Sequence, residues 1–185
     1  MKSLEYKDYD ELLQNKYPVL KRPKFDNKYH DFDKNYTIYQ NYGFEGITTY
    51  WFRELIEPMM QEIYDCYASF DKEPDLLIEQ IKEKWGGLRF YYSIDKDHRQ
   101  AIHGFDGIGG SGVRLKDNSS DLAKNIAKIV SKYEFKSKEI CIYCGERGEI
   151  RNTIYVLCLC DKCLQKRKEQ SEKNKGTLES YLKDN

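Results

Sequence analysis

The chain has 185 residues, with 31 Lys+Arg balanced by 31 Asp+Glu; 34% of it is charged and 39% hydrophobic. That length suits one domain, or one core domain with a small appendage. The balanced charge counts against a dedicated duplex-DNA binder, whose affinity rests on a basic surplus, while leaving room for a local basic patch. No run of 18 apolar residues occurs and Met1–Asp8 holds no apolar signal core, so a cytoplasmic protein without membrane contact is expected.

Along the chain, Leu4, Tyr9, Leu12, Leu13 and Tyr17 support a short helix at best, and residues 18–46, with Pro18, Pro23 and frequent Asn, Asp and Tyr, read as loop. Trp51, Leu55, Ile56, Met59, Ile63 and Tyr67 recur at helical spacing. Pro58 falls inside that stretch and should kink it or mark a fresh start. Cys66 lies near the same stripe and reads as a small core residue.

Leu77, Ile78, Ile81 and Trp85 also have helical spacing, with Pro74 suited to a first turn and Gly86 to an end. Leu88, Phe90, Tyr92 and Ile94 alternate as in a strand. Helix–turn–strand is therefore the favoured reading, and a hairpin turning at Gly86-Gly87 is its alternative for residues 75–85. Residues 95–120 read as a surface loop, glycine-rich over about 98–118. Gly107-Ile-Gly109-Gly110-Ser-Gly112 matches G-x-G-x-x-G formally. It is followed by Val-Arg-Leu-Lys-Asp-Asn-Ser-Ser with no helix signal, so it reads as loop rather than a dinucleotide site. Ser119 or Ser120 can cap a helix carrying Leu122, Ile126, Ile129, Val130 and Tyr133.

Cys141-Ile-Tyr-Cys144 and Cys160-Asp-Lys-Cys163 are two C-x2-C pairs fifteen residues apart, the spacing of a structural zinc site. Zinc takes four soft donors in a tetrahedron, and two facing turns supply them. Cys141, Cys144, Cys160 and Cys163 are thus the predicted ligands of one Zn²⁺. Gly145 suits the tight turn after the first pair. Cys158, two residues before Cys160, is a candidate to replace it. Four thiolates leave no position for water, so the metal is expected to be structural.

Enzyme signatures are weak. His30, His98 and His103 have no metal-ligand or nucleophile-partner spacing, and Asp95-Lys-Asp97-His98 reads as a solvated turn. A site between that turn and the glycine-rich loop is the least favoured of three readings; a protein that does no chemistry of its own is preferred. In Lys82–Tyr92, Trp85, Leu88 and Phe90 are expected to fill a core, while Lys82, Lys84, Arg89 and Tyr91 project as a cationic and aromatic contact surface. Arg147, Arg151, Lys162, Lys166, Arg167 and Lys168 offer a second basic face, the basis of an alternative reading as a nucleic-acid-binding zinc ribbon. The charge run after Gln165 reads as a solvated, partly helical tail.

The block Lys82-Glu-Lys-Trp-Gly-Gly-Leu-Arg-Phe-Tyr91, followed by Cys141-Ile-Tyr-Cys-Gly145 and Cys160-Asp-Lys-Cys163, resembles a family of small, largely uncharacterised bacterial and phage proteins. Their mark is K-E-K-[aromatic]-G-x-L-R-F-Y ahead of a C-terminal C-x-x-C-G…C-x-x-C module. Looser similarity at Tyr17-Pro18 and Tyr42-Gly-Phe-Glu-Gly46 extends the likeness to residues 15–165. The resemblance implies a role in host–phage conflict, with a host protein or nucleoprotein complex as partner.

The expected architecture is a single small α+β domain. Residues 1–135 form the core with its N-terminal extension and glycine-rich loop. Residues 136–165 form an integrated zinc-ribbon-like module of three short strands, and 166–185 a charged tail.

Overall fold

The computed structural model describes residues 6–21, 48–94, 100–102, 104–107, 110–113, 120–152 and 155–183. Helix α1, Tyr6–Lys16, runs into a 3₁₀ turn, Pro18–Leu20. The pair is anchored by Leu13, Tyr17 and Leu20, all buried. The Tyr17 hydroxyl donates to Gln61 Oε1 at 3.1 Å, and its ring meets Tyr64 edge-on.

The Trp51–Tyr67 stripe forms one continuous helical path: Thr49–Trp51, a π-helical turn Phe52–Ile56, and α2, Glu57–Ser69. The wide turn sits just ahead of Pro58. Proline has no N–H to give the carbonyl of Glu54, and a π turn accommodates that gap. The Glu54 carbonyl oxygen instead accepts from Lys136 Nζ at 3.4 Å. Trp51, Leu55, Ile56, Met59, Ile63 and Tyr67 are all buried, so the stripe predicted from sequence is the inner face.

Residues 75–85 are not helical. Strands β1, Leu77–Lys84, and β2, Gly87–Ile94, form an antiparallel hairpin, against the favoured reading. The reason lies in a bulge between Ile78 and Gln80, where the register slips by one residue. The slip lets Ile78 and Ile81, three apart, both reach the core, so a bulged strand imitates a helical period. The turn is Trp85-Gly86, both residues at positive φ (53° and 76°). That matches a two-residue type I′ turn, whose twist suits the hairpin. Trp85 does not fill the core: it is 58% exposed at the tip.

Strand β3, Gln100–Ile102, pairs with the end of β2, while β4, Gly104–Gly107, pairs with β5, Gly110–Val113. The stretch read as loop thus contains short strands. Its Asp, Gly and Ser carry almost no β-propensity, so pairing rather than composition defines them. Gly110–Val113 is a strand and opens no helix, which removes the structural context a G-x-G-x-x-G phosphate site needs. The Asp95–His98 turn, the Tyr42–Gly46 stretch, His30 and His103 lie outside the described residues.

Helix α3, Asp121–Lys136, begins where Ser120 Oγ accepts the Ala123 N–H at 3.2 Å. A 3₁₀ turn, Ser137–Glu139, leads to the cysteines. Strands β6, Glu149–Asn152, and β7, Val156–Leu159, pair antiparallel, and an isolated bridge joins Ile140 to Arg147. Helix α4, Asp161–Lys183, then continues through the charge run, so the cysteine turn and the tail share one helix.

One core joins the first helices, the hairpin, α3 and the cysteine module. Leu13, Trp51, Ile63, Ile81, Phe90, Ile126 and Val130 belong to the same buried cluster as Ile140, Cys141, Ile142, Leu157, Cys158 and Leu159. The chain is a single small α+β domain whose C-terminal cysteine module is built into that core.

Candidate metal centre and the adjoining hairpin face

The first cysteine turn is closed by backbone. Cys141 N–H donates to Glu146 O at 2.7 Å, and Gly145 N–H to Cys141 O at 2.9 Å. Gly145 sits at φ 75° with the Tyr50 side chain 3.3 Å from where a Cβ would stand, so glycine is needed there for conformation as well as space. The second pair lies where β7 runs into α4: Cys160 precedes the helix and Cys163 is in its first turn. Cys163 N–H donates to Cys160 Sγ at 3.4 Å.

These two turns bring the Sγ atoms of Cys141, Cys144, Cys160 and Cys163 within 4.8 Å of one another. Cys144 Sγ and Cys160 Sγ are 3.6 Å apart. Four thiolates at a zinc–sulfur distance of 2.3 Å would stand about 3.8 Å apart in a tetrahedron. The cluster therefore fits a four-sulfur metal ion, as the spacing predicted. Burial pushes the Cys160 thiol up, but hydrogen bonds from the Cys163 N–H and the neighbouring thiols outweigh it and bring it down to about 7. Burial raises Cys144 and Cys163. The contacts at Cys160 ease the cluster toward the thiolate, the form that binds metal.

Cys158 is not part of the cluster. It is buried inside β7 opposite Ile150, its Sγ donates to Lys138 O at 3.1 Å, and burial pushes its thiol up to about 12. Cys160 lies past the strand's end, so the two-residue alternation that would have matched the two side chains no longer holds. Gly148 makes room for Cys158: a Cβ there would stand 3.0 Å from the sulfur and 2.9 Å from Cys141 N.

The metal turns are tied to the helices and to the hairpin. Trp51 Nε1 donates to Ile140 O at 3.0 Å, Thr48 Oγ1 donates to Ile142 O, and Ile142 N–H donates to Cys158 O at 3.0 Å. At the hairpin tip, a Cβ on Gly86 would lie 2.6 Å from Ile150 Cδ1 and 3.1 Å from Cys158 N. The turn of the Lys82–Tyr92 block therefore rests on β6 and β7 of the metal module.

The remaining predicted contact residues share one face of this hairpin. Lys82 pairs directly with Arg89, Lys84 lies one step further along the same face, and Tyr91 two residues beyond Arg89. Lys82 Nζ stands 5.0 Å from the Tyr91 ring centroid, and Lys84 Nζ 4.7 Å from that of Trp85. Arg89 Nη1 donates to Leu88 O at 2.9 Å. All four residues are half-buried. Ile81, Leu88, Phe90 and Tyr92 turn the other way, into the core.

Two members of the second basic set have partners within the module. Arg151 is held by Asp161 at 2.5 Å and Glu149 at 3.5 Å. Arg167 donates to the Tyr143 hydroxyl at 2.7 Å. Arg147, Lys162, Lys166 and Lys168 are exposed.

Sequence reasoning missed Glu134 of α3 and Ser137 of the 3₁₀ turn after it, which grip β2. No pattern marks a buried acceptor of this kind; the one hint is a glutamate within an otherwise apolar helical face. Among the described residues no helix is long and apolar enough to cross a membrane. A scan against protein-family models, a search of curated proteins and a search of solved structures each found no match to the chain.

Proposed function

We infer that the protein is a zinc-stapled binding module without chemistry of its own, which docks through the Lys82–Tyr91 hairpin face on a host protein or nucleoprotein complex and modulates it. The observation that carries this reading is the hairpin itself. Three cations and Tyr91 share one face, Trp85 is exposed at its tip, and the turn is braced against the metal module. A rigid strand carrying Arg and aromatic side chains loses little entropy on binding, and such residues are the usual anchors of interfaces. The partner surface that complements it is acidic with an apolar recess for Trp85.

Zinc is the metal that four thiolates in a tetrahedron favour. Bound there it would be fully coordinated, leaving no open position for a substrate or water. The nucleic-acid reading built on Arg147, Arg151 and the start of α4 is weaker, because the Arg151 side chain is only 25% exposed and is held between Asp161 and Glu149.

The test is a tagged pull-down from bacterial lysate, with and without nuclease, comparing wild type with Lys82→Glu/Arg89→Glu. A stoichiometric protein that survives nuclease and is lost from the variant supports the reading. A partner retained by the folded variant, whether or not nuclease then removes it, contradicts it.

A further inference from the structure

Helix α3 carries a charge pattern separate from the hairpin. Its inner side is Leu122, Ala123, Ile126, Ala127, Val130 and Tyr133, all buried. Lys124, Lys128, Lys132 and Lys136 are exposed, each four residues from the next. At that spacing they form one row along the helix, with steps of about 6 Å and a total length of about 18 Å. Phe135, 66% exposed, stands beside the row near its C-terminal end.

Asp121 is the single acid on the exposed side of α3, which otherwise carries Lys124, Asn125, Lys128, Ser131, Lys132, Phe135 and Lys136. In a chain of zero net charge this is a local concentration of cations. Among the described residues, a few groups touch it, the Tyr133 ring beneath Lys132 and Lys136 included. Asp121 Oδ1 lies 3.3 Å from Lys124 Nζ, Glu62 Oε1 lies 2.6 Å from Lys132 Nζ, and Lys136 Nζ rests on the Glu54 carbonyl. Ion pairs between exposed groups contribute little, so they can exchange for stronger anions.

We propose that this face of α3 binds single-stranded nucleic acid, with the lysines on successive phosphates and the Phe135 ring stacked on a base. A row of cations needs a string of anions, and a polyphosphate backbone supplies one. An exposed aromatic ring beside such a row is the mark of a single-strand platform, since only unpaired bases offer their faces. The neutral chain lacks the broad positive field that duplex binding uses. The buried side of α3 is locked into the core, so the row is preorganised. Together with the hairpin face, it would let one domain grip both the protein and the exposed strand of a nucleoprotein complex, although it stands without that reading.

The test is fluorescence anisotropy of the full zinc-loaded chain with a fluorescein-labelled single strand of about 20 nucleotides, across a salt series. Binding should weaken with salt, with a log–log slope of about −3 for four contacts. Lys124→Ala/Lys128→Ala should weaken binding about tenfold and reduce the slope by about 1.4. Phe135→Ala should weaken it roughly five- to tenfold with the slope unchanged, the signature of lost stacking rather than lost charge. The charge-matched Lys166→Ala/Lys168→Ala variant on α4 should bind as wild type. Circular dichroism checks that each variant folds. Absence of binding at low salt, or equal weakening by the α4 variant, overturns the proposal. So does tighter binding of a duplex with Phe135→Ala silent, or displacement by polyglutamate as effective as by unlabelled strand, which would point to an acidic protein instead.

Discussion

Glu134 Oε1 accepts the backbone N–H of Phe90 at 2.9 Å, joining the last turn of α3 to the middle of β2. One turn on, Ser137 Oγ accepts the Leu88 N–H at 2.8 Å and donates to Glu134 O at 2.6 Å. Strand β3 pairs only with Tyr92–Ile94, so among the described residues no strand is hydrogen-bonded to this part of the β2 edge. Helix side chains satisfy the two N–H groups that a strand would otherwise take. Glu134 is 7% exposed, so the bond is made away from water.

Replacing Glu134 with Ala should therefore cost about 1–3 kcal/mol, because the buried Phe90 N–H is left without its acceptor. Glu134→Gln keeps an oxygen in place and should cost about half as much. Urea unfolding of the two variants measures the difference, and equal losses would mean that the Phe90 bond contributes little.

The hairpin turn holds a conflict between stability and the proposed contact. Trp85 occupies the left-handed region, where a bulky residue is strained and asparagine is at ease. Trp85→Asn should leave the domain as stable as wild type or raise its stability by about 0.5 kcal/mol, while weakening partner capture. Gly86→Ala should cost about 1–3 kcal/mol, since it adds a methyl group at positive φ directly against Ile150. Thermal melts together with the pull-down separate the two effects.

Much of this was legible in the residues, and the failures have identifiable causes. The cysteine spacing led to the four cysteines that the fold brings together, because covalent chain length limits which thiols can meet. The Trp51 stripe and the Ser120 cap were read correctly because both depend on local geometry. Residues 75–85 were misread because one bulge gives a strand the spacing of a helix. Trp85 was misplaced because a large apolar side chain is ordinarily buried, and its exposure follows from a turn that only the hairpin reveals. The strands between Gln100 and Val113 depend on pairing between segments that have little propensity of their own.

Acid should loosen the contact between α2 and α3. Burial pushes the Glu62 carboxyl up, but hydrogen bonds from Lys132 Nζ at 2.6 Å and the Tyr133 hydroxyl at 2.8 Å outweigh it and hold the group below its ordinary 4.5. A depressed carboxylate contributes stability that is present above its unfolded value and lost as pH falls through the folded one. The Tm of the wild type should therefore drop more steeply below pH 4.5 than that of Glu62→Gln. Parallel profiles for the two proteins would remove Glu62 from the acid response. Since the side chain is 37% exposed, the difference should be small and should shrink further in salt.

The most direct test of the account is metal analysis of the purified chain and two variants, Cys144→Ser and Cys158→Ser, paired with unfolding before and after chelation. The account predicts one zinc per chain in the wild type and in Cys158→Ser, and less than stoichiometric, weakly held zinc in Cys144→Ser. Because Trp51 Nε1 is bonded to Ile140 O beside Cys141, chelation should also redden the tryptophan emission and abolish the cooperative transition. A chain that purifies without metal and unfolds cooperatively, or one that loses its zinc when Cys158 rather than Cys144 is changed, would contradict it.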